Sequence, residues 1–357
     1  MKKIFILMAS VAVVFAASCN KIEEVNTPVE PVVETELITV DLNPMTKTSL
    51  DGMATVWSEG DMVSVTVGGK KIGDLKLVEG STFSGEVEAG YDGDAILNYP
   101  SGKTEVPATQ VAKAGSFENG AALLEGKTTM DALRAGEGAK LTNTTALLEF
   151  SVAQEGNVTF EVGNSKITVT GCKTGATYYA CVTPAANVSF TARIDGYLSK
   201  QAPKNVTLTA NQLFELGSLP APDKFIWGLV GQHQGWDITN PTPMYKVADK
   251  AYAVLNVTLA ANGFKFAKTG LQNWNTANTY FGAWTKSSGK DYFNFSTEMG
   301  AGAWYSVYTN NLGGQSENIG VSDFTKKYDV YVKIITDADW GQELGYTVVT
   351  AGTAVTF

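Results

Sequence analysis

Histidine and cysteine are nearly absent from this 357-residue sequence, which has one His, His233, and three Cys. A single imidazole removes most zinc sites and Ser-His-Asp arrangements. The acidic residues beyond the Pro-rich break at 217–223 mostly adjoin Gly, Asn or Lys in turns rather than suggesting a hydrolytic carboxylate pair, so no metal, no cofactor and no catalytic residue is expected. A basic stripe is missing too. The 27 Lys and Arg stand against 36 Asp and Glu, giving a net charge of −9 and a pI near 4.8. With no cationic surface to release phosphate counterions, nucleic acid is excluded as a partner. Long hydrophobic runs are also lacking. The longest, Ile4 to Ala17, would rise about 21 Å as a helix against about 30 Å of bilayer hydrocarbon. Beyond it a helical period is hard to find. Residues 130–140 offer one or two turns, interrupted by Gly136 and Gly138.

What is present begins with the order Met1, Lys2, Lys3, apolar run, Ser18, Cys19, the positive end, hydrophobic segment and small residues of a secretory signal. The run Ala16-Ala17-Ser18-Cys19 resembles a bacterial lipobox. That resemblance implies that residues 1–18 are removed and that Cys19 becomes the lipid-bearing first residue, a membrane anchor. Asn20 is not the Asp that retains lipoproteins in the inner membrane, so an outer-membrane location is implied. Glu23 and Glu24 resemble a Bacteroidetes surface-export signal, which implies cell-surface exposure. Residues 19–36, rich in Glu, Val and Pro, cannot bury enough apolar surface to order themselves and read as a flexible tether. At about 3.1 Å per residue such a segment reaches roughly 50 Å.

From there on the signals are those of strands. Met62 to Val67, Asn157 to Val162, Lys166 to Val169 and Tyr328 to Ile334 are short, alternating and β-branched. Turns such as Gly68-Gly69, Asp92-Gly93 and Asn262-Gly263 punctuate them. The expected class is all-β, with tandem β-sandwiches. More than three hundred residues are too many for one sandwich. A Pro-rich break at 217–223 divides the chain, and six of the seven Trp lie beyond it. A softer break falls near Lys140. The expected division is therefore 37–140 and 141–219, as two small sandwiches or two halves of one unit, followed by 222–357.

In the first part, Thr46-Lys47-Thr48-Ser49-Leu50 leads to Val56-Trp57-Ser58-Glu59-Gly60-Asp61 and an alternating strand. Ala95 to Pro100, the Leu-Leu-Glu-Phe strand ending at Phe150, and Tyr178 to Pro184 follow. Taken in order, residues 35–219 resemble the fimbrillin-like lipoproteins of Bacteroidetes, which implies an immunoglobulin-like scaffold or stalk. Trp57 reads as a core or lid residue.

Beyond the break come Trp227-Gly228-Leu229-Val230-Gly231, Gly235-Trp236-Asp237, Gly263-Phe264-Lys265-Phe266, Asn273-Trp274 and Tyr280-Phe281-Gly282. This order resembles the glycan-binding domains of the SusE and SusF starch-utilisation lipoproteins, a carbohydrate-binding-module-like sandwich. Period two puts Phe264 and Phe266 on the core face and Lys265 outward. An ammonium can donate to sugar hydroxyls, and an indole offers a flat apolar face to a pyranose ring. Trp274, between Asn273 and Asn275 in a polar loop, reads as a platform or as a structural residue. Trp236 reads as packing its turn or as part of the site. Trp284 stays undecided, and Tyr280 is a further candidate. Trp227 and Trp304 read as core.

Cys172 and Cys181, nine residues apart, could form a hairpin disulfide in an oxidising compartment or remain two independent buried thiols. Asp337-Ala338-Asp339 lacks the remaining calcium-loop ligands and reads as a turn. The expectation is a non-catalytic outer-membrane surface lipoprotein that binds oligo- or polysaccharide for a glycan-utilisation system, beside a TonB-dependent transporter and glycoside hydrolases. The alternative is a fimbria-associated structural or adhesive subunit.

Overall fold

The structure, a computed structural model, describes residues 33–44, 57–270, 280–281, 304–308, 319–321, 323–338 and 341–357. It is all-β, as expected. Strands β1 (Thr35–Asp41), β2 (Asn43–Pro44), β3 (Met62–Val67), β4 (Lys70–Glu79), β5 (Thr82–Glu88) and β6 (Asp94–Tyr99) open the chain. They are followed by β7 (Thr109–Val111), β8 (Leu124–Thr129), helix α1 (Met130–Arg134) and β9 (Lys140–Asn143). In β3 the alternation works as read, with Val63, Val65 and Val67 buried. Val67 then pairs with Lys70 across Gly68-Gly69, both at positive φ, the backbone of a tight turn that follows the strand twist.

The first sheet runs β1-β5-β4-β3-β6-β8-β9-β2. Its two outer members are one stretch of chain. After Asp41 the strand bends at the fully buried Leu42 and continues as β2, parallel to β9, so the sheet closes on itself and both edges are covered. The indole N–H of Trp57 donates to the Leu42 carbonyl at 3.0 Å. Its ring meets Phe83 and Tyr99 edge-on at 4.9 and 5.0 Å. Trp57 thus holds the bend where the sheet closes.

The tether expected to reach residue 36 ends sooner, because Thr35 and Glu36 already pair with Glu88 and Val87. The guanidinium of Arg134 also grips the Glu36 carboxylate at 2.8 and 2.9 Å, and this hydrogen bond holds that carboxyl below its ordinary range. The short helix expected after Met130 exists. Thr129 caps its start and Gly136, at φ +75°, follows its end.

The second unit comprises β10 (Ala146–Val152), β11 (Gly156–Val162), β12 (Ser165–Cys172), β13 (Thr177–Val182), β14 (Ala185–Ile194), β15 (Tyr197–Leu208) and β16 (Leu213–Leu219). One sheet is β13-β10-β16. The other is β15-β14-β11-β12-β7, to which β7 is lent by the preceding part of the chain. Phe150 and Phe160 meet at 5.0 Å between the two sheets. Buried side chains from Ile38 to Leu219 form one continuous cluster, so both parts share a core across residue 140.

The last unit contains β17 (Lys224–Gly231), β18 (Thr242–Ala248), β19 (Ala251–Thr258), β20 (Phe264–Lys268), β21 (Tyr280–Phe281), β22 (Tyr305–Tyr308), β23 (Lys327–Ala338) and β24 (Gly341–Thr350). Its sheet order is β21-β20-β17-β18-β19-β23-β24-β22. The register of β23 with β24 closes at Ala338 and Gly341, so Asp337 lies on a hairpin arm. Phe225, Trp227, Leu229, Phe264, Phe266, Val330 and Tyr346 lie in its core.

Candidate functional site

Strand β20 is the element on which the sequence placed an outward cation. Phe264 and Phe266 are fully buried, 5.6 Å apart and edge-on, while Lys265 between them is half-buried on the other face. Lys265 sits opposite Val230 and Phe264 opposite Gly231. The chain leaving β17 at Gly231 makes a single 3-10 turn over Gln232–Gln234, and Gly235 and Trp236 follow at φ +77° and +60°. The Trp236 N–H returns to the Gly231 carbonyl at 2.8 Å. Trp236 and Lys265 therefore stand at the same end of the β17–β20 pair.

Polar side chains brace this loop from within. The Gln234 carboxamide accepts from the Asp237 N–H at 2.7 Å and donates to the Asp237 carbonyl at 2.8 Å. The Asp237 carboxylate accepts from the Thr239 hydroxyl and N–H at 2.6 and 2.9 Å, and the hydroxyl bond above all lowers its pKa. His233 shares a 3.1 Å hydrogen bond with the Thr242 hydroxyl, and burial lowers its pKa. The arrangement can present a half-buried indole on a braced loop. The histidine is spent on holding the loop's ends together.

Of the candidate residues, the structure places Lys265 and Trp236 at one end of the same strand pair. Tyr280 lies in β21 opposite Ala267, next to β20, and its side chain lies outside the described residues. Asn273, Trp274, Trp284 and Cys19 also lie outside the described residues. Trp227 is core, as read. Trp304 is not. It is half-buried at the rim, with its N–H donating to the Thr356 carbonyl at 3.3 Å and the Lys333 ammonium 4.2 Å from its ring. Alternation within its strand-like run could not reveal that β22 is an outermost member of its sheet.

Cys172 and Cys181 are free and buried, which corrects the hairpin-disulfide reading. Cys172 ends β12 in one sheet, opposite Gly156, and Cys181 lies in β13 in the other, opposite Leu147. The two strands are not hairpin partners. Burial raises the two thiols to about 11 and about 12, so neither is the thiolate that a nucleophile or redox centre requires.

Sequence reasoning missed two buried polar nodes. Gln110 in β7 donates to the Cys181 carbonyl at 2.7 Å and accepts from its N–H at 3.0 Å, as a strand neighbour would. Asp61 accepts from Ser58 N–H, Tyr99 hydroxyl and Asn119 amide at 2.8, 3.0 and 3.1 Å. The Gly60-Asp61 pair after Trp57 was the available signal for the second. Both nodes are structural. Among the described residues no group of three or more His, Cys, Asp or Glu could hold a metal ion, and no helix is long and apolar enough to cross a membrane.

No family model matches the sequence, and no curated protein matches it. Several solved structures are similar. A fimbrial protein from Bacteroides ovatus aligns at 11% identity and a TM-score of 0.29, over 53% of this chain and 52% of that one. The alignment thus spans about half the length of that structure. A candidate cell adhesion protein, also from Bacteroides ovatus, aligns at 15% identity and a TM-score of 0.33, over 52% of this chain and 93% of that one. The tip fimbrial protein from Porphyromonas gingivalis, with a C-terminal truncation, aligns at 9% identity and a TM-score of 0.28, over 51% and 93%.

Proposed function

We propose that this chain is a non-catalytic, cell-surface structural or adhesive subunit of the fimbria-associated kind, anchored through Cys19. In this reading residues 37–140 and 141–219 form a stalk that carries residues 222–357 as a head. One observation carries the reading: the continuous core from Ile38 to Leu219, closed at Leu42 and knitted by β7, followed by a head with a core of its own. A stalk needs that continuity, because a load along it must pass through packed sheets rather than through a linker. The fimbrillin-like order of motifs over 35–219 supports the same role. The test is made on intact cells. The native protein is expected to be cut by added protease, to incorporate labelled palmitate and to appear with sheared surface filaments, whereas Cys19→Ala is lost from the membrane fraction. Resistance to external protease, or membrane retention of Cys19→Ala, would overturn it.

A second reading, glycan capture by the head, is favoured by one specific observation: the half-buried Lys265, on the face of β20 opposite Phe264 and Phe266, at the end of the strand from which the braced Trp236 loop leaves. Trp274, Asn273, Trp284 and Tyr280 would complete such a site. A TonB-dependent transporter and glycoside hydrolases would then be its neighbours. Retention of the mature chain on a glycan array, lost in Trp274→Ala at unchanged melting temperature, would establish this reading over the first.

A further inference from the structure

The link between stalk and head is short and Pro-containing, the composition of a hinge, and relative motion is the default for domains joined in this way. The backbone around it points the other way. In the head, the pairing of β18 with β19 skips Val247, and the pairing of β19 with β23 skips Leu255 and Asn256. Each irregularity leaves backbone groups without a ladder partner, and such groups are satisfied elsewhere. The Asn256 N–H is taken within the head, by the Asp329 carboxylate at 2.7 Å. Two more are taken by the stalk. The Val247 carbonyl accepts from the Arg193 guanidinium at 2.8 Å, and the Leu255 N–H donates to the Tyr197 hydroxyl at 3.0 Å.

Arg193 and Tyr197 flank the turn between β14 and β15, and the turn is shaped to this seat. Gly196 lies at φ +87°, which favours glycine, and a Cβ there would stand 2.8 Å from the tip of the Leu255 side chain, so the turn approaches the head closely. The Tyr197 ring lies 5.0 Å from that of Tyr245 and packs on the cluster of Val247, Ala251, Ala253, Tyr331 and Val349. Arg193 is itself aimed by Glu161, at 3.2 Å. The linker is tied on both sides. The Ser199 hydroxyl donates to the Pro220 carbonyl at 2.7 Å, and the Lys246 N–H donates to the Asp223 carbonyl at 2.8 Å.

We propose that the tip of the β14–β15 hairpin is a fixed joint: its Arg193 and Tyr197 satisfy backbone groups that two strand irregularities of the head leave over, so stalk and head keep one orientation. The joint does not depend on what the head binds. It means that the head's presenting face points in a set direction relative to the stalk.

The test uses the mature chain with Cys19→Ser and spin labels at Asn164→Cys in the stalk and Lys327→Cys in the head, both exposed. Pulsed electron-spin distance measurement is expected to give one narrow population. Adding Arg193→Ala and Tyr197→Phe should broaden it, and the Leu255 amide should exchange with deuterium about tenfold faster once its acceptor is gone. A broad or multiple distribution in the native background would overturn the proposal, whatever the double variant does. So would a folded double variant with unchanged distances and unchanged Leu255 exchange.

Discussion

Gln110 sits on a strand of three residues, yet its side chain pairs with the Cys181 backbone 71 positions away. Its burial is nearly complete, so truncation strands both a donor and an acceptor where water cannot replace the amide. Each buried group left unpaired costs about 1–3 kcal/mol. Gln110→Ala is therefore expected to lower the urea midpoint clearly, while Lys173→Ala, which breaks the exposed pair with Glu155, should leave it unchanged, as surface pairs contribute little. Equal midpoints for the two variants would contradict the role given to Gln110. Nothing local marks this residue as buried. Its partner is chosen by which sheet β7 joins, and the three residues of β7 carry too short a pattern to show that.

Among the elements, the long strands were legible and the short joining ones were not. Val63, Val65 and Val67 alternate inward, and Gly68-Gly69 turns the chain as its composition suggests. Phe264 and Phe266 are core and Lys265 lies on the other face, because a pleated strand points successive side chains to opposite faces. By contrast β2, two residues long, closes the first sheet, and no period exists over two residues. That closure assigns Trp57 a measurable task. Trp57→Phe keeps an aromatic ring against Phe83 and Tyr99 but removes the N–H that the Leu42 carbonyl accepts. A loss of about 1–3 kcal/mol is expected by chemical denaturation, with faster amide exchange at Leu42 and Asn43. Unchanged exchange at the bend would mean that Leu42 is held by packing alone.

For the whole molecule, the placement of the core clusters on either side of the linker leads to an expectation about fragments. Residues 221–357 contain the head's main cluster entire, and a segment with its own core can fold alone. The fragment is expected to unfold cooperatively by calorimetry, at a lower temperature than the head within the full chain, because Val247 and Leu255 lose Arg193 and Tyr197. A fragment with no cooperative transition would show that the head depends on the stalk to fold.

Local sequence specifies the all-β class, the inward faces of the long strands and several of the turns, since these depend on periods and on glycine or asparagine placement within a few residues. It also carries the acidic charge, the single histidine and the signal-like N-terminus. The closure of the first sheet at Leu42, the separation of Cys172 from Cys181 and the bridge made by Gln110 arise instead in the packing of the whole chain. The seating of Arg193 and Tyr197 on the head is decided there too. Each depends on which strands become neighbours across tens of residues, and that choice is made by the packing of whole faces, which no local pattern encodes.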